Sequence, residues 1–152
     1  MAQTQFEVDR ENLEVRITRV FDVSPERLWQ AHTEPEQIER WWDTTRVETM
    51  DVRVGGRWRF VSGEHGEHAF RGEFLEIDKP HKLVRTFEYE PMAGHILVET
   101  VLFEPLDGGK TRLKMTSKYS ISEDLEGMVA NGMEQGSTAN LERLATLVER
   151  SA

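Results

Sequence analysis

Val23-Ser24-Pro25-Glu26-Arg27-Leu28-Trp29, continuing through Thr33-Glu34-Pro35-Glu36 and closing at Trp41-Trp42, is the stretch whose reading decides the fold. Ser24 offers a side-chain oxygen to the orphan N–H groups of a helix start, and Pro25 stands at the first helical position, where a missing N–H costs nothing. Val23 can pack on Leu28 as a hydrophobic staple. Thr33 and Glu36 have the spacing of a capping box for a second short helix, with Ile38, Trp41 and Trp42 as its apolar positions. Just before this block, Leu13, Val15 and Ile17 alternate with Glu14, Arg16 and Thr18, the period of a half-buried strand.

Downstream the pattern is strand after strand. Met50, Val52 and Val54 alternate up to Gly55-Gly56, a hairpin signal. Trp58 and Phe60 alternate with Arg57 and Arg59. A polar turn over Ser62–Glu67 leads to Phe70, Gly72 and Phe74 on one strand face, and Lys79-Pro80-His81 turns the chain again. Leu83, Arg85, Phe87 and Tyr89 then share a face. Ile96–Phe103 is apolar nearly throughout, which suits a central strand or a face used by a partner, a second copy included. Asp107-Gly108-Gly109 marks another hairpin before Leu113 and Met115. Residues 1–12 are polar and are expected to be partly loose.

The last segment changes period. Ser122 can cap a helix whose first turn carries Glu123, Asp124 and Glu126, favourable beside its N-terminal dipole. Leu125, Met128, Val129, Met133, Leu141, Leu144 and Val148 recur at helical spacing up to Arg150. Gly127, Gly132 and Gly136 interrupt this run, each costing about 1 kcal/mol against alanine. They imply a close backbone approach, a kink, or an unfilled volume beside the helix. The expectation is an α+β chain, residues 1–152 in a single domain, with a curved antiparallel sheet around a long C-terminal helix.

Composition excludes several roles. A net charge of −9 over 152 residues argues against a nucleic-acid backbone or an anionic membrane as partner. There is no cysteine, hence no disulfide or thiolate chemistry. No apolar run reaches the length of a membrane span, and Met1–Val8 lacks a signal core, so a cytoplasmic location is expected.

The chain resembles the activator of Hsp90 ATPase homologue family, within the START-like, birch-pollen-allergen-like (SRPBCC) superfamily. The match runs over about residues 13–148. It is carried by Ser24–Trp29, Pro35-Glu36, Arg40-Trp41-Trp42, Val54-Gly55-Gly56, Gly72–Ile77, Gly109–Leu113 and Glu134-Gln135-Gly136. The resemblance implies a helix-grip fold with a cavity between sheet and helix, used by relatives for lipids, sterols, polyketides or other apolar molecules. Some relatives in the superfamily are polyketide cyclases or aromatases. Eukaryotic co-chaperones of the family carry an additional N-terminal domain for which these 152 residues leave no room, so chaperone binding is not expected. The family commonly has Gly-Trp in the last helix, where this chain has Gly136-Ser137. Either the pocket is larger beside Ser137, or a neighbour such as Met133 fills the space.

The expected ligand is therefore a hydrophobic or amphipathic small molecule. The residues that would line its site are Trp41, Trp42, Trp58, Phe60, Phe70, Arg85, Phe87, Tyr89, Met133 and Ser137. Aromatic rings offer large flat surface at low entropy cost, although the same rings could simply fill a core. Met128 would add adaptable surface. Arg85 and Glu99 interrupt apolar strands. Arg85 faces inward or outward with equal weight, and Glu99 is expected on the solvent face. His65 and His68 with Glu64 and Glu67 read as a solvated turn, not a metal site. His81 and His95 are expected to be exposed. With no catalytic motif, phosphate-binding glycine loop or cofactor signature, a binding role is expected ahead of an enzymatic one.

Overall fold

The computed structural model describes residues 3–42, 45–63 and 65–149. Strands β1 (Gln5–Asp9) and β2 (Glu14–Phe21) precede helices α1 (Pro25–Thr33) and α2 (Pro35–Trp41). The strands β3 (Thr45–Met50), β4 (Arg57–Ser62), β5 (His68–Asp78), β6 (Lys82–Tyr89), β7 (Ile96–Leu106) and β8 (Lys110–Lys118) follow. Helices α3 (Ser122–Ala130) and α4 (Met133–Glu149) end the chain. All eight strands form one antiparallel sheet in the order β1-β2-β8-β7-β6-β5-β4-β3. The register slips between Val47 and Thr49 and between Phe74 and Glu76. Such irregularities bend a strand and help the sheet curl around the helices. This is the α+β architecture that the strand and helix order implied, and the helix-grip fold that the resemblance implied.

The inner face of the sheet is apolar because each strand alternates. Val15, Ile17, Trp58, Phe60, Phe74, Leu83, Val101, Phe103 and Leu113 are all buried there. They meet Leu28 and Trp29 of α1, Ile38 and Trp41 of α2, and Leu141, Leu144 and Val148 of α4 in one core. Polar contacts hold α4 against the rest. Arg19 donates to Leu141 O at 2.7 Å, Arg143 to Trp41 O at 2.9 Å, and Glu149 accepts from Asp22 N–H at 2.8 Å. Trp41 donates its indole N–H to Ala31 O at 2.9 Å, locking α2 onto α1.

Ser24 caps α1 as read, accepting from Arg27 N–H at 3.2 Å. Five local expectations change. Residues 5–9 are ordered as an edge strand, because Phe6 and Val8 pack on the core and Arg16 ties Glu7, Asp9 and Glu14 together. Thr33 does not cap α2; its hydroxyl donates back to Trp29 O at 2.9 Å, and Glu34 stands at the cap without a side-chain bond to the backbone. Beyond Met50 the strand gives way to a loop, pinned by Gly55 N–H to Phe74 O at 2.8 Å, that leaves Val52 and Val54 exposed. The long C-terminal helix is two helices. Asn131 ends α3, with its side chain bonded to Gly127 O, and Gly132 takes φ +85°, which a side-chain-bearing residue rarely adopts. Ser122 is the first helical residue of α3 and makes no cap bond. Arg150 and Glu64 lie outside the described residues. Among the described residues no helix is long and apolar enough to cross a membrane.

Candidate functional site

Strand β6 turns Leu83, Arg85, Phe87 and Tyr89 to the inside, and antiparallel pairing places Phe87 opposite Leu97 and Arg85 opposite Glu99 of β7. Between this part of the sheet and α3 lies a cavity of about 570 Å³. Its sheet wall is Phe70, Phe87, Tyr89, Leu97 and Tyr119. Its helix wall is Glu123, Asp124, Gly127, Met128 and Asn131, with Met92 and Ile96 at the rim. Gly127 leaves room on the helix wall: a Cβ there would meet nothing within 4 Å. Met92, Ile96 and Met128 are exposed at the mouth, an apolar entrance.

Two pairs of polar groups stand on the wall. His68 Nδ1 lies 2.6 Å from Tyr89 Oη, the two rings stacked. His95 Nδ1 donates to Asp124 Oδ1 at 2.7 Å, joining the turn before β7 to the first turn of α3. Tyr119 is buried, and that burial, with the charge of Glu99 nearby, pushes its phenol above the usual tyrosine range. Its hydroxyl donates to Met133 Sδ at 3.6 Å.

Glu99 is not on the solvent face. The buried set on β7 is Leu97, Glu99, Val101 and Phe103, and the carboxylate is tolerated inside because Arg85 Nε donates to its Oε1 at 2.9 Å. The Arg85 guanidinium is roofed by rings, 4.6 Å from the Trp58 centroid, 5.8 Å from Phe60 and 5.9 Å from Trp42. Such stacking favours a weakly hydrated planar cation. His32 sits deeper, between Trp41 and Phe103, with Nδ1 donating to Leu28 O at 2.8 Å. Its Nε2 is buried without a hydrogen-bond partner among the described residues. Burial, opposed by that bond and reinforced by Arg85, pushes its imidazole down to about 4.

Of the residues expected to line a ligand site, the structure puts Phe70, Phe87 and Tyr89 on the cavity wall. Trp42 stacks on Phe87 directly behind it, at 6.3 Å and 11°. Trp58 and Phe60 pack with Trp42 around Arg85, and Trp41 belongs to the core beside α1. Met133 and Ser137 are half-buried on α4, off the cavity wall. The wall also holds His68, His95, Asp124 and Tyr119, which the sequence reading left out. Continuing the alternation Leu113, Met115, Ser117 would have placed Tyr119 on a shared face. No local signal could have paired His95 with Asp124 across 29 residues. Among the described residues no group of three histidine or acidic side chains could hold a metal, and His65, His68 and Glu67 make no such cluster.

A family model described as Activator of Hsp90 ATPase homolog 1-like protein matches residues 22–149. A solved structure from Mycobacterium smegmatis is similar with a TM-score of 0.87 at 24% identity, over 96% of this chain and 97% of that one. One from Arthrobacter aurescens gives 0.86 at 26% identity, over 96% and 91%. An HSP90 activator from Plasmodium falciparum gives 0.65 at 28% identity, over 81% and 89%. No curated protein matches the chain in sequence.

Proposed function

Because the chain belongs to the Activator of Hsp90 ATPase homolog 1-like family, whose model spans most of it, we propose that it is a small-molecule-binding protein. It holds an apolar or amphipathic ligand between the inner sheet face and α3. The observation that carries this reading is the cavity of about 570 Å³, a volume within the range of sites for drug-sized ligands, walled by Phe70, Phe87, Tyr89, Leu97 and Met128. The aromatic wall supplies rigid apolar contact, and the exposed methionines at the mouth supply adaptable surface for entry. Native mass spectrometry of the purified protein, followed by denaturing identification of any released molecule, tests it. A co-purified hydrophobic compound supports the reading. An empty protein that takes up no hydrophobic probe from a panel overturns it.

A second reading, an enzyme of the cyclase or aromatase kind, draws on the His95–Asp124 pair at the wall, since a carboxylate-oriented imidazole is the usual form of a general base. It requires turnover of a bound compound that is lost in His95→Gln while binding persists. Chaperone docking draws on the family's description and on likeness to the Plasmodium falciparum HSP90 activator.

A further inference from the structure

The helix wall of the cavity is a single element. Glu123, Asp124, Gly127, Met128 and Asn131 belong to α3 or its end, and they recur at the spacing of one helix face. Another face carries Leu125, fully buried, and Val129, half-buried, as its apolar anchors. Both ends of α3 are joints. Before it, Tyr119 N–H is bound to Leu13 O at 2.8 Å and Ser120 Oγ donates to Ile96 O at 3.3 Å, so the fixed chain ends at Ser120 and Ile121 is exposed. After it, Gly132 stands at φ +85° ahead of the firmly packed α4. Among the described residues two side-chain ties cross from α3 to the rest of the fold. Asp124 accepts from His95 at 2.7 Å, and Glu126 accepts from Arg10 at 2.7 and 3.2 Å. The turn that carries His95 is fixed to the sheet: Arg59 holds Glu90 at 2.7 and 2.9 Å, and Glu88 accepts from Gly94 N–H at 2.6 Å. The Asp124 side chain is 14% exposed, whereas Arg10 and Glu126 are open to water, so the His95 contact is the stronger of the two ties.

We propose that α3 is a hinged lid on the cavity, which swings as one piece about Ile121 and Gly132, with the His95–Asp124 contact as its latch. This rests on the reading that the cavity takes up a small molecule. Swinging α3 carries the whole helix wall with it, Met128 included, and widens the apolar mouth at Met92 and Ile96. Helix α4 and the sheet stay in place. The motion breaks little: Leu125 and Val129 leave the core and two ties part, while the backbone hydrogen bonds inside α3 survive. A ligand that crosses only when the lid is open enters and leaves at rates set by the latch. Weakening the latch destabilises the closed state equally with the cavity full or empty, so entry and release quicken together.

The absence of cysteine makes the lid lockable. In the double variant Arg10→Cys, Glu126→Cys, a short bis-methanethiosulfonate joins α3 to the β1–β2 turn at positions that do not line the cavity, and a reductant releases it. The probe is N-phenyl-1-naphthylamine, neutral and fluorescent in apolar surroundings. Loaded before cross-linking, it is expected to stay with the protein through desalting and to leave on reduction. Added after cross-linking, it should enter about tenfold or more slowly than after reduction. Equal entry and retention in the two states overturns the lid and leaves the cavity reading intact. Stopped-flow fluorescence on His95→Ala tests the latch and does not depend on the double variant folding. Entry and release are both expected to rise about tenfold, the scale of one hydrogen bond to a charged group. Faster release with unchanged entry reduces His95 to a wall contact and overturns the latch. A probe that binds neither the wild-type protein nor the reduced variant overturns the lid and the cavity reading together.

Discussion

At the scale of single residues, His32 is the sharpest case. Its ring nitrogen Nδ1 donates to Leu28 O, its other nitrogen is sealed in, and its imidazole is held at about 4 in place of 6.5. The folded chain thus refuses a proton that the unfolded chain accepts. Stability is complete above the unfolded value and declines as pH falls from 6.5 toward 4. From about pH 7.5 to about pH 5 this one group should remove about 2 kcal/mol, read as a shift in urea midpoint. His32→Phe, which keeps a ring against Trp41 and Phe103, should flatten that slope. The same residues show what could be read in advance. Trp42, Phe70, Phe87 and Tyr89 announced an aromatic interior, since large rings at alternating positions must be covered. The direction of Glu99 was not legible, because alternation fixes which residues share a face and not which face turns inward. Only the packing of one sheet face against the helices settles that, and such packing is a property of the whole fold.

At the scale of elements, α3 and α4 differ in how they are held. Helix α4 buries Leu141, Leu144, Ala145 and Val148 and is tied down by Arg19, Arg143 and Asp22. Helix α3 buries Leu125 alone and is joined to α4 through Gly132. Amide exchange should therefore be faster in α3 than in α4 by about tenfold or more, since few buried contacts mean cheap local opening. Uniform protection across both helices would contradict this. Gly127 gives the complementary test. A Cβ there meets open space, and glycine in mid-helix is about 0.5–1 kcal/mol less favourable than alanine. Gly127→Trp should fill the cavity, abolish uptake of hydrophobic probes and leave the melting temperature essentially unchanged. The three glycines of this segment were visible as interruptions. Which of them kinks and which makes room depended on backbone angle and opposing wall, neither of which a periodicity contains. The Ser24-Pro25 helix start, by contrast, was legible because every contact of a cap lies within four residues.

At the scale of the whole molecule, the strand order followed from short hairpin turns and a helix period at the end, which left few ways to arrange one sheet. The apolar run of β7 is mostly accounted for within the fold. Leu97, Val101 and Phe103 point inward, and the outward Leu102 lies in register between Lys82 and Lys114, with Val98 between Thr86 and Lys118. Lysine stems cover such neighbours while their charges repel a second copy. Sedimentation should show a monomer; a stable dimer would mean that this face or an edge strand is shared. The tryptophans, finally, divide the protein into a spectroscopic foreground and background. Trp42 and Trp58 lie against the Arg85 charge and the floor of the cavity, whereas Trp29 and Trp41 are sealed in the core beside α1. Indole emission follows the local electric field, so loading the cavity should move the emission of the first two and leave that of the others still. Trp58→Phe should diminish that change and Trp29→Phe preserve it. The molecule carries its own optical gauge of occupancy, usable without any label on protein or ligand.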